Sequence, residues 1–334
     1  RELRRHQRRL LSDPGKGARM SDSNVRLPAE WEPQDWLWIG FPHDPDEWDV
    51  LAAAQEEVAG FANAVAESGQ EVRLLVRDAA NEARARSLVS GAVTLERRSY
   101  GDIWLRDTGP IVLDRAGIRA AVRPGFNGWG GKYLMAGDQT IGEELARDAG
   151  LDLNRPDWVL EGGAIDTDGS GTVLTTEQCL LNPNRNPSLT REQIEDRLAK
   201  DFGLTRVIWL RDGLLNDHTD GHVDNLARFV AAGTVALAEP FGADDPNAAI
   251  YADAKARLEK AGLAVAPIPS PGRISRGPFV EPASYANFLI CNSLVIVPAF
   301  GVPQDAEAVA AIDALFPGRT AVGLPMRNIL AGGG

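Results

Sequence analysis

The sequence predicts an α/β fold made of repeated strand, strand, helix, strand units. Polar residues that precede two short apolar runs recur about 55 to 65 residues apart. Each pair of runs is followed by an amphipathic segment and then by a further apolar run. The residues that open the units are Asp107, Glu161, His222 and Tyr285. Repeats of this size stack side by side or close in a ring, and in a ring the opening residues face a common centre.

The first unit differs from the others because it starts with one strand. Its predicted elements are, in order, a strand over 36–41, a helix over 51–68, a strand over 71–76, a short helix over 81–89 and the apolar stretch 102–113. The first strand lacks the partner that the other units supply, so a closed ring is expected to take that partner from a strand at the C-terminus, which this chain ends before supplying.

The three later units follow one pattern. After Glu161 the runs flank the turn 168–171, followed by a helix over 190–202 and a strand over 206–210; after His222 they flank 232–233, followed by a helix over 247–261 and a strand over 263–268; after Tyr285 they are 288–291 and 294–297, followed by a helix over 306–316 and a strand over 320–323.

Composition and charge restrict the class of protein. At 334 residues and 44% hydrophobic content, the chain can bury a sizeable core. No apolar run approaches the roughly 20 residues that a membrane span needs. The two cysteines, Cys179 and Cys291, both lie among apolar residues, which predicts buried free thiols and a cytoplasmic location.

The formal charge is unevenly distributed. Residues 1–19 contain seven basic and two acidic residues, a net charge of +5. Because the whole chain has a net charge of −12, the residues from Met20 onward carry −17. An acidic body repels nucleic acid and suits a small cationic substrate. Residues 1–19 are interpreted as a disordered or non-native arm outside the fold, and residues 20–334 as one catalytic domain.

Titratable groups concentrate in residues 216–229, where two of the four histidines and three aspartates fall within eight positions. Gly221 disfavours a helix here, so His222 and Asp224 are expected at the start of a strand, on one face. Such a pair suits acid/base chemistry, because imidazole titrates near neutrality and a carboxylate tunes it. In a ring, the acids Asp107 and Glu161 converge on the same centre from other units.

Four motifs give the chain a family resemblance. Trp104-Leu-Arg-Asp-Thr-Gly-Pro110, Glu161-Gly-Gly163, Asp220-Gly-His-Val-Asp-Asn225 and the terminal Gly332-Gly-Gly334 resemble the agmatine deiminase family, which is grouped with bacterial peptidylarginine deiminases in the guanidine-modifying superfamily. The resemblance implies a five-bladed α/β propeller, the pentein fold. It also implies hydrolysis of a guanidinium to a ureido group with release of ammonia, a step in polyamine and putrescine biosynthesis, with no metal or organic cofactor.

The resemblance also implies roles for single residues. Asp107 and Asp224 would bind the substrate guanidinium, His222 would act as general acid/base, and Glu161 would be the carboxylate paired with that histidine; Trp104 would form a wall of the pocket. A planar cation with several N–H donors is held well by carboxylates, and their charge favours protonated His222.

The nucleophile that the family uses is absent from these 334 residues. The resemblance places a His-Cys pair within a few residues after Gly334, and its thiolate would form the thiouronium intermediate. Cys179 and Cys291 lie in other repeat units and match no nucleophile position. Truncation is the interpretation preferred over a natural pseudoenzyme, and the fragment as given is expected to be inactive.

Other interpretations remain open from the sequence. The substrate could be peptidyl-arginine instead of agmatine. Agmatine has no carboxylate and peptidyl-arginine has no free one, so neither requires an arginine in the site to bind it. A metal-dependent hydrolase would use His218, Asp220, His222 and Asp224 as ligands, and a non-catalytic guanidine- or polyamine-binding propeller would need no nucleophile. The oligomeric state is not readable from the sequence; the resemblance allows a homodimer.

Two loops have structural interpretations. The glycine-rich segment 125–131 is expected to form a flexible loop over the pocket, with Trp129 covering the substrate. The segment 182–187, which includes Arg185, is interpreted mainly as a rigid connection to the following helix.

Overall fold

The computed structural model describes residues 25–332. Most strands belong to five sheets of three or four strands. The sheets are β1 (Val25–Arg26), β5 (Ile111–Arg115), β6 (Ile118–Val122) and β7 (Asp152–Asn154); β8 (Asp166–Thr167), β9 (Thr172–Thr176) and β10 (Arg206–Leu210); β11 (Ala227–Ala231), β12 (Thr234–Glu239) and β13 (Ala264–Pro269); β16 (Leu289–Ile290), β17 (Leu294–Ala299) and β18 (Thr320–Pro325); and β2 (Trp36–Gly40), β3 (Glu71–Val76) and β4 (Val93–Arg97). The strands β14 (Ser275–Arg276) and β15 (Phe279–Val280) form a separate hairpin.

Helices connect and cover these strands. They are α1 (Leu51–Glu67), α2 (Ala79–Leu88), α3 (Leu105–Thr108), α4 (Gly128–Gly131), α5 (Ile141–Asp148), α6 (Glu177–Leu180), α7 (Arg191–Phe202), α8 (Ala248–Lys260), α9 (Asp305–Asp313) and α10 (Arg327–Ala331). Within residues 25–332, none of these is long and apolar enough to cross a membrane.

The predicted repeat is confirmed in four sheets. In each, an antiparallel pair is followed by a helix and then by a strand that pairs in parallel with the second strand: β8, β9, α7, β10; β11, β12, α8, β13; β16, β17, α9, β18; and β5, β6, α5, β7. The helices α1, α7 and α8 match their predicted bounds within one residue, whereas the helix predicted over 306–316 ends at Asp313. Thr190 forms a capping box with Gln193 at the start of α7, and Gly203 ends it at φ 74°.

The sheet formed by β2, β3 and β4 is different, as the sequence predicts. Its strands are all parallel, and β2 forms one edge with no described partner on its outer side. A largely apolar groove of about 850 Å³ runs beside this edge and is bordered by Trp36, Trp38 and Ile39 together with Leu330.

The polar segments that open the units are not strands, which corrects the prediction. Asp107 lies in α3, and the strand β5 begins only at Ile111. Short 3-10 helices follow Glu161 (Gly162–Ala164) and His222 (Val223–Asn225), because glycines before or within these turns permit a tight backbone.

A buried ionic network ties these openings together. Arg228 of β11 is fully buried; its Nη2 lies 2.6 Å from Glu30 Oε2, and its Nε lies 3.0 Å from Asp166 Oδ1 of β8. Arg228 Nη1 also donates to the backbone oxygen of Phe288. A buried cation requires such complete pairing, so one side chain joins β11 to β8 and to the residue that precedes β16.

Residues 1–24, 333 and 334 lie outside the described residues. The predictions for the arm over 1–19 and for the last two glycines of the terminal motif therefore fall outside the structure.

Candidate active site

A cavity of about 310 Å³ lies where the unit openings meet. The residues that line it include four of the five predicted site residues, namely Trp104, Asp107, His222 and Asp224. The fifth, Glu161, is fully buried and does not border the cavity. The sequence-predicted groups therefore form one site, with Glu161 behind its wall.

His222 and Asp224 reach the cavity through a tight turn. Gly221 adopts φ 84°, its carbonyl accepts a hydrogen bond from Thr176 Oγ1 at 2.6 Å, and the backbone N–H of His222 donates to Thr219 Oγ1. A 3-10 helix then places Asp224 at the cavity before β11 begins. The two residues share a site, as the sequence predicted, although by a turn and not by the alternation of a strand.

Asp107 is held by two donors. The backbone N–H of Gly163 donates to Oδ1 at 2.8 Å, and Trp129 Nε1 donates to Oδ2 at 2.9 Å. Oδ2 also lies 3.8 Å from His222 Nδ1. Gly163 has no room for a side chain, because an added Cβ would lie 2.5 Å from His222 Nδ1 and 2.8 Å from Asp224 Oδ2. The glycine of the Glu-Gly-Gly motif is thus required by the packing of three functional groups.

Glu161 pairs with Arg185, which corrects its predicted pairing with His222. Arg185 Nε lies 2.6 Å from Glu161 Oε1, and both side chains are fully buried. The physical reason is that a fully buried carboxylate needs a formal cation or several donors. The ion-pair contact of His222 is with Asp107 instead. Glu161 remains near the histidine, since an oxygen of its carboxylate and a ring nitrogen of His222 lie within 4.8 Å.

Arg185 and Cys179 lie against the site, although the sequence interpretation considered both and assigned neither to it. Arg185 also contacts Asp220 Oδ2 at 2.6 Å and the Thr219 carbonyl at 2.8 Å, so it fixes the loop that precedes His222. Cys179 is fully buried, and its Sγ lies within 4.8 Å of ligand atoms of both Glu161 and His222. The available signal in the sequence was the arginine in the Asn-Arg-Asn-Pro segment. If such an arginine is buried, it requires a carboxylate partner.

Asp224 also faces a positive group. Arg106 Nε lies 3.5 Å from Asp224 Oδ2, and Arg106 Nη2 lies 2.8 Å from Glu30 Oε2. Charge pairing with Arg228 and Arg106 outweighs burial and lowers the pKa of Glu30 to about 2. Arg106 is therefore anchored to the ionic network and presents a second side of its guanidinium to Asp224.

Aromatic rings form two walls of the cavity. Trp104 packs against Trp48 with ring centroids 6.5 Å apart. Trp129 lies in α4 with φ 52° and ψ 52°, a strained conformation for a residue with a side chain, and its ring is 4% exposed. Lys132 Nζ of the same segment lies 2.8 Å from Asp220 Oδ1. The glycine-rich segment is thus a hydrogen-bonded wall of the pocket.

The electrostatics favour a protonated histidine beside acidic groups. Burial alone would lower the pKa of His222, but the charge of Asp107, the adjacent Cys179 thiol and Asp224 raise it well above its ordinary value. Burial raises the pKa of Asp224 to about 6, against the opposing charges of Arg106 and His222. Burial also raises the pKa of the Cys179 thiol, and the nearby His222 offsets part of that rise. Because Cys179 is a buried thiol that does not border the cavity, it is poorly placed to attack a substrate there.

The ligand set of the metal-hydrolase alternative is not assembled. Among the described residues, the group of side chains close enough to share an ion is Glu161, Cys179 and His222, not His218, Asp220, His222 and Asp224. Asp220 is occupied by Lys132, Asn184 and Arg185, which satisfy its carboxylate as charge and hydrogen-bond partners.

A family model described as Porphyromonas-type peptidyl-arginine deiminase matches residues 26–334. The chain belongs to this family. It is 40% identical over 349 residues to an agmatine deiminase of Stutzerimonas stutzeri, covering 92% of each chain. A solved agmatine deiminase structure from Enterococcus faecalis superposes with a TM-score of 0.88 at 33% identity, covering 93% of each chain.

A more distant structure agrees in fold alone. A DDAH from Pseudomonas aeruginosa superposes with a TM-score of 0.51 at 15% identity, covering 90% of this chain and 96% of that one. The mixed α/β fold of this member of the peptidyl-arginine deiminase family is therefore shared with this DDAH.

Proposed function

We propose that the protein is a hydrolase of linear amidine C–N bonds that converts agmatine and water to N-carbamoylputrescine and ammonia. The observation that supports this most is the convergence of Asp107, Asp224 and His222 on one small cavity. The similarity to agmatine deiminases over nine-tenths of the chain favours agmatine over peptidyl-arginine. A cavity of about 310 Å³ is at the small end of ligand sites and suits a free small molecule.

The acidic residues supply binding and orientation. The substrate guanidinium is a planar cation, and Asp107 and Asp224 offer it carboxylate oxygens that accept its N–H donors. Oδ1 and Oδ2 of Asp107 are already oriented by Gly163 and Trp129, so little reorganisation is required when the substrate arrives. Trp104 and Trp129 enclose the site and reduce its access to water.

His222 supplies the proton. Protonated His222, favoured by Asp107, can donate to the leaving nitrogen, so that ammonia departs as the guanidinium carbon keeps its bond to the nucleophile. The neutral imidazole then accepts a proton from the attacking water, and the carbon becomes the ureido carbonyl as the nucleophile leaves. Glu161, fixed by Arg185, lies behind the ring and supports this cycle electrostatically.

The nucleophile is assigned to a cysteine after Gly334, as the family resemblance implies. Ala331 and Gly332 border the cavity, so the segment that leads toward that position is already at the site. Gly332 must be a glycine at this place, since a Cβ there would lie 2.4 Å from the Trp48 ring. The thiolate attack forms the thiouronium intermediate that water then hydrolyses.

The five sheets are proposed to close as a five-bladed propeller around this site. Four sheets repeat one pattern, and the open edge of β2 beside the apolar groove suits an antiparallel strand like those at the equivalent edge of the other sheets. Backbone amides of residues 36–40 are expected to be protected from hydrogen exchange in the protein expressed from the whole reading frame; rapid exchange there would contradict closure. A cytoplasmic location and a homodimer stay predictions of the sequence.

Agmatine binding tests the assignment of Asp107 and Asp224 to the substrate guanidinium without requiring turnover. Isothermal titration calorimetry should detect agmatine binding to the native chain, and Asp224→Ala should weaken it by at least about tenfold, roughly 1.4 kcal/mol. The control is Asp212→Ala, since the Asp212 side chain is 54% exposed in a loop and outside the cavity. Equal affinity in all three proteins would show that Asp224 does not bind the guanidinium.

A further inference from the structure

Glu161, Cys179 and His222 form a compact group of potential metal ligands. One ligand atom of each lies within 4.8 Å of the others, and all three residues are buried. The side chains of Glu161 and His222 each have one atom without a hydrogen-bond partner among the described residues, namely Oε2 and Nε2. Buried polar atoms without partners are uncommon, so their concentration in one place points to a ligand.

The orientation of each group is fixed by its neighbours. Arg185 holds Glu161 Oε1, which leaves Oε2 free. The other imidazole nitrogen, His222 Nδ1, faces Asp107, so Nε2 is the ring nitrogen that remains without a partner among the described residues. Cys179 itself is positioned by α6, where its backbone N–H donates to Thr176 Oγ1 at 3.2 Å. Such second contacts orient first ligands in known metal sites.

We propose that this group is an inhibitory site for a thiophilic divalent ion, with Zn²⁺ as the probe. Thiolate sulfur, imidazole nitrogen and carboxylate oxygen together are a ligand set that zinc accepts, with a fourth position open to water. Binding would release the thiol proton of Cys179 and the imidazolium proton of His222 to solvent, so it is stronger at higher pH. An ion entering through the cavity reaches His222, the member of the three that lines it.

The consequence is loss of the acid/base group. A metal on Nε2 prevents His222 from carrying a proton, and its positive charge repels a guanidinium substrate. This inhibition rests on the proposed function of His222, whereas metal binding itself does not. The two ideas can therefore fail separately.

Metal binding is measured on the native chain by calorimetry with zinc chloride and by absorption with Co²⁺. We expect a site with a thiolate-to-cobalt charge-transfer band in the near ultraviolet. Cys179→Ser should abolish that band and weaken zinc binding at least tenfold, and Glu161→Gln should weaken zinc binding. The matched control is Cys291→Ser, because Cys291 is the other buried free cysteine and does not belong to the ligand group.

X-ray absorption at the zinc edge keeps the test independent of variant folding. It should show one sulfur at about 2.3 Å with nitrogen and oxygen ligands at about 2.0–2.2 Å. Zinc binding that is unchanged in Cys179→Ser, a site without sulfur, or no binding at this position would overturn the proposal. In the protein expressed from its whole reading frame, unaltered agmatine turnover in the presence of bound zinc would overturn the inhibitory role alone.

Discussion

Arg185 Nε and Glu161 Oε1 are 2.6 Å apart, and neither side chain is exposed to solvent. This pair sits directly behind His222 and joins two segments of the chain to the site. Glu161 is oriented by a guanidinium that also holds the loop before the histidine. The acid/base group of the site thus depends on a buried cation that contacts no substrate.

Arg185→Ala should destabilise the fold strongly. It leaves Glu161 as an uncompensated buried charge, a change that typically costs about 3–5 kcal/mol. Urea unfolding measures the effect. Arg197→Ala removes a surface pair with the largely exposed Asp157 and should unfold at the native urea concentration. Equal midpoints for the two variants would show that the Glu161 pair contributes little.

Gly163→Ala should abolish turnover while the chain still folds. The new methyl group would lie 2.5 Å from His222 Nδ1, so the imidazole and the Asp107 carboxylate must shift. Steady-state kinetics with agmatine tests this in the protein expressed from its whole reading frame, with circular dichroism as the check on folding. Gly60→Ala is the matched control, since a Cβ there meets nothing within 4 Å and lies in α1, where alanine favours the helix. Full activity of Gly163→Ala would contradict the geometry of the site.

Agmatine affinity should fall as the pH is lowered from about 7 to about 5. The pKa of Asp224 is about 6, so its carboxyl becomes neutral across this range and no longer attracts a guanidinium. The pKa of His222 is raised well above its ordinary value by the charge of Asp107, so the histidine is not expected to compensate. Calorimetry across this pH range measures the change. An affinity that does not depend on pH would show that the Asp224 carboxylate does not bind the guanidinium.

Folding should respond to the same carboxyl with the opposite sign. The folded-state pKa of about 6 exceeds the ordinary value of 3.8, so protonated Asp224 stabilises the fold at low pH and this contribution is lost as the pH rises through 6. Asp224→Asn stays neutral and avoids that loss. Its stability relative to the native chain should therefore increase from about pH 4 to about pH 7 in urea unfolding, and a constant difference would disprove the shift.

In the protein expressed from its whole reading frame, Lys132→Met should raise the KM for agmatine more than it lowers kcat. The substitution removes the 2.8 Å contact with Asp220 but keeps a long apolar side chain, so the Trp129 segment is released while His222 and Asp224 are untouched. Hydrogen exchange of residues 125–133 should accelerate, with the unfolding midpoint close to native. Unchanged KM and exchange would show that this contact does not hold the wall.

Much of the fold was predictable from the sequence because each helix and strand is locally encoded. The strand over 71–76 and the strand over 206–210 match their predicted bounds, and Thr190 caps α7 where the sequence indicates. The boundaries of the polar openings were wrong, because the tight turns at Gly163 and Gly221 depend on contacts between units that no single segment reveals.

The residues that line the cavity were predictable from the sequence, but the buried residues that contact them from behind were not. Titratable residues that border the cavity stand in dense polar motifs, so composition alone draws attention to them. Cys179 and Arg185 lie in segments that resemble an ordinary helix start and a connection, and their importance arises from contacts with Glu161 and His222 in other units.

Product analysis with agmatine is the most direct test of the account. The protein expressed from its whole reading frame is incubated with agmatine, and N-carbamoylputrescine and ammonia are quantified together. We expect equal amounts of both, with product lost in Asp107→Asn and His222→Asn. A folded native protein that forms neither product from agmatine would contradict it.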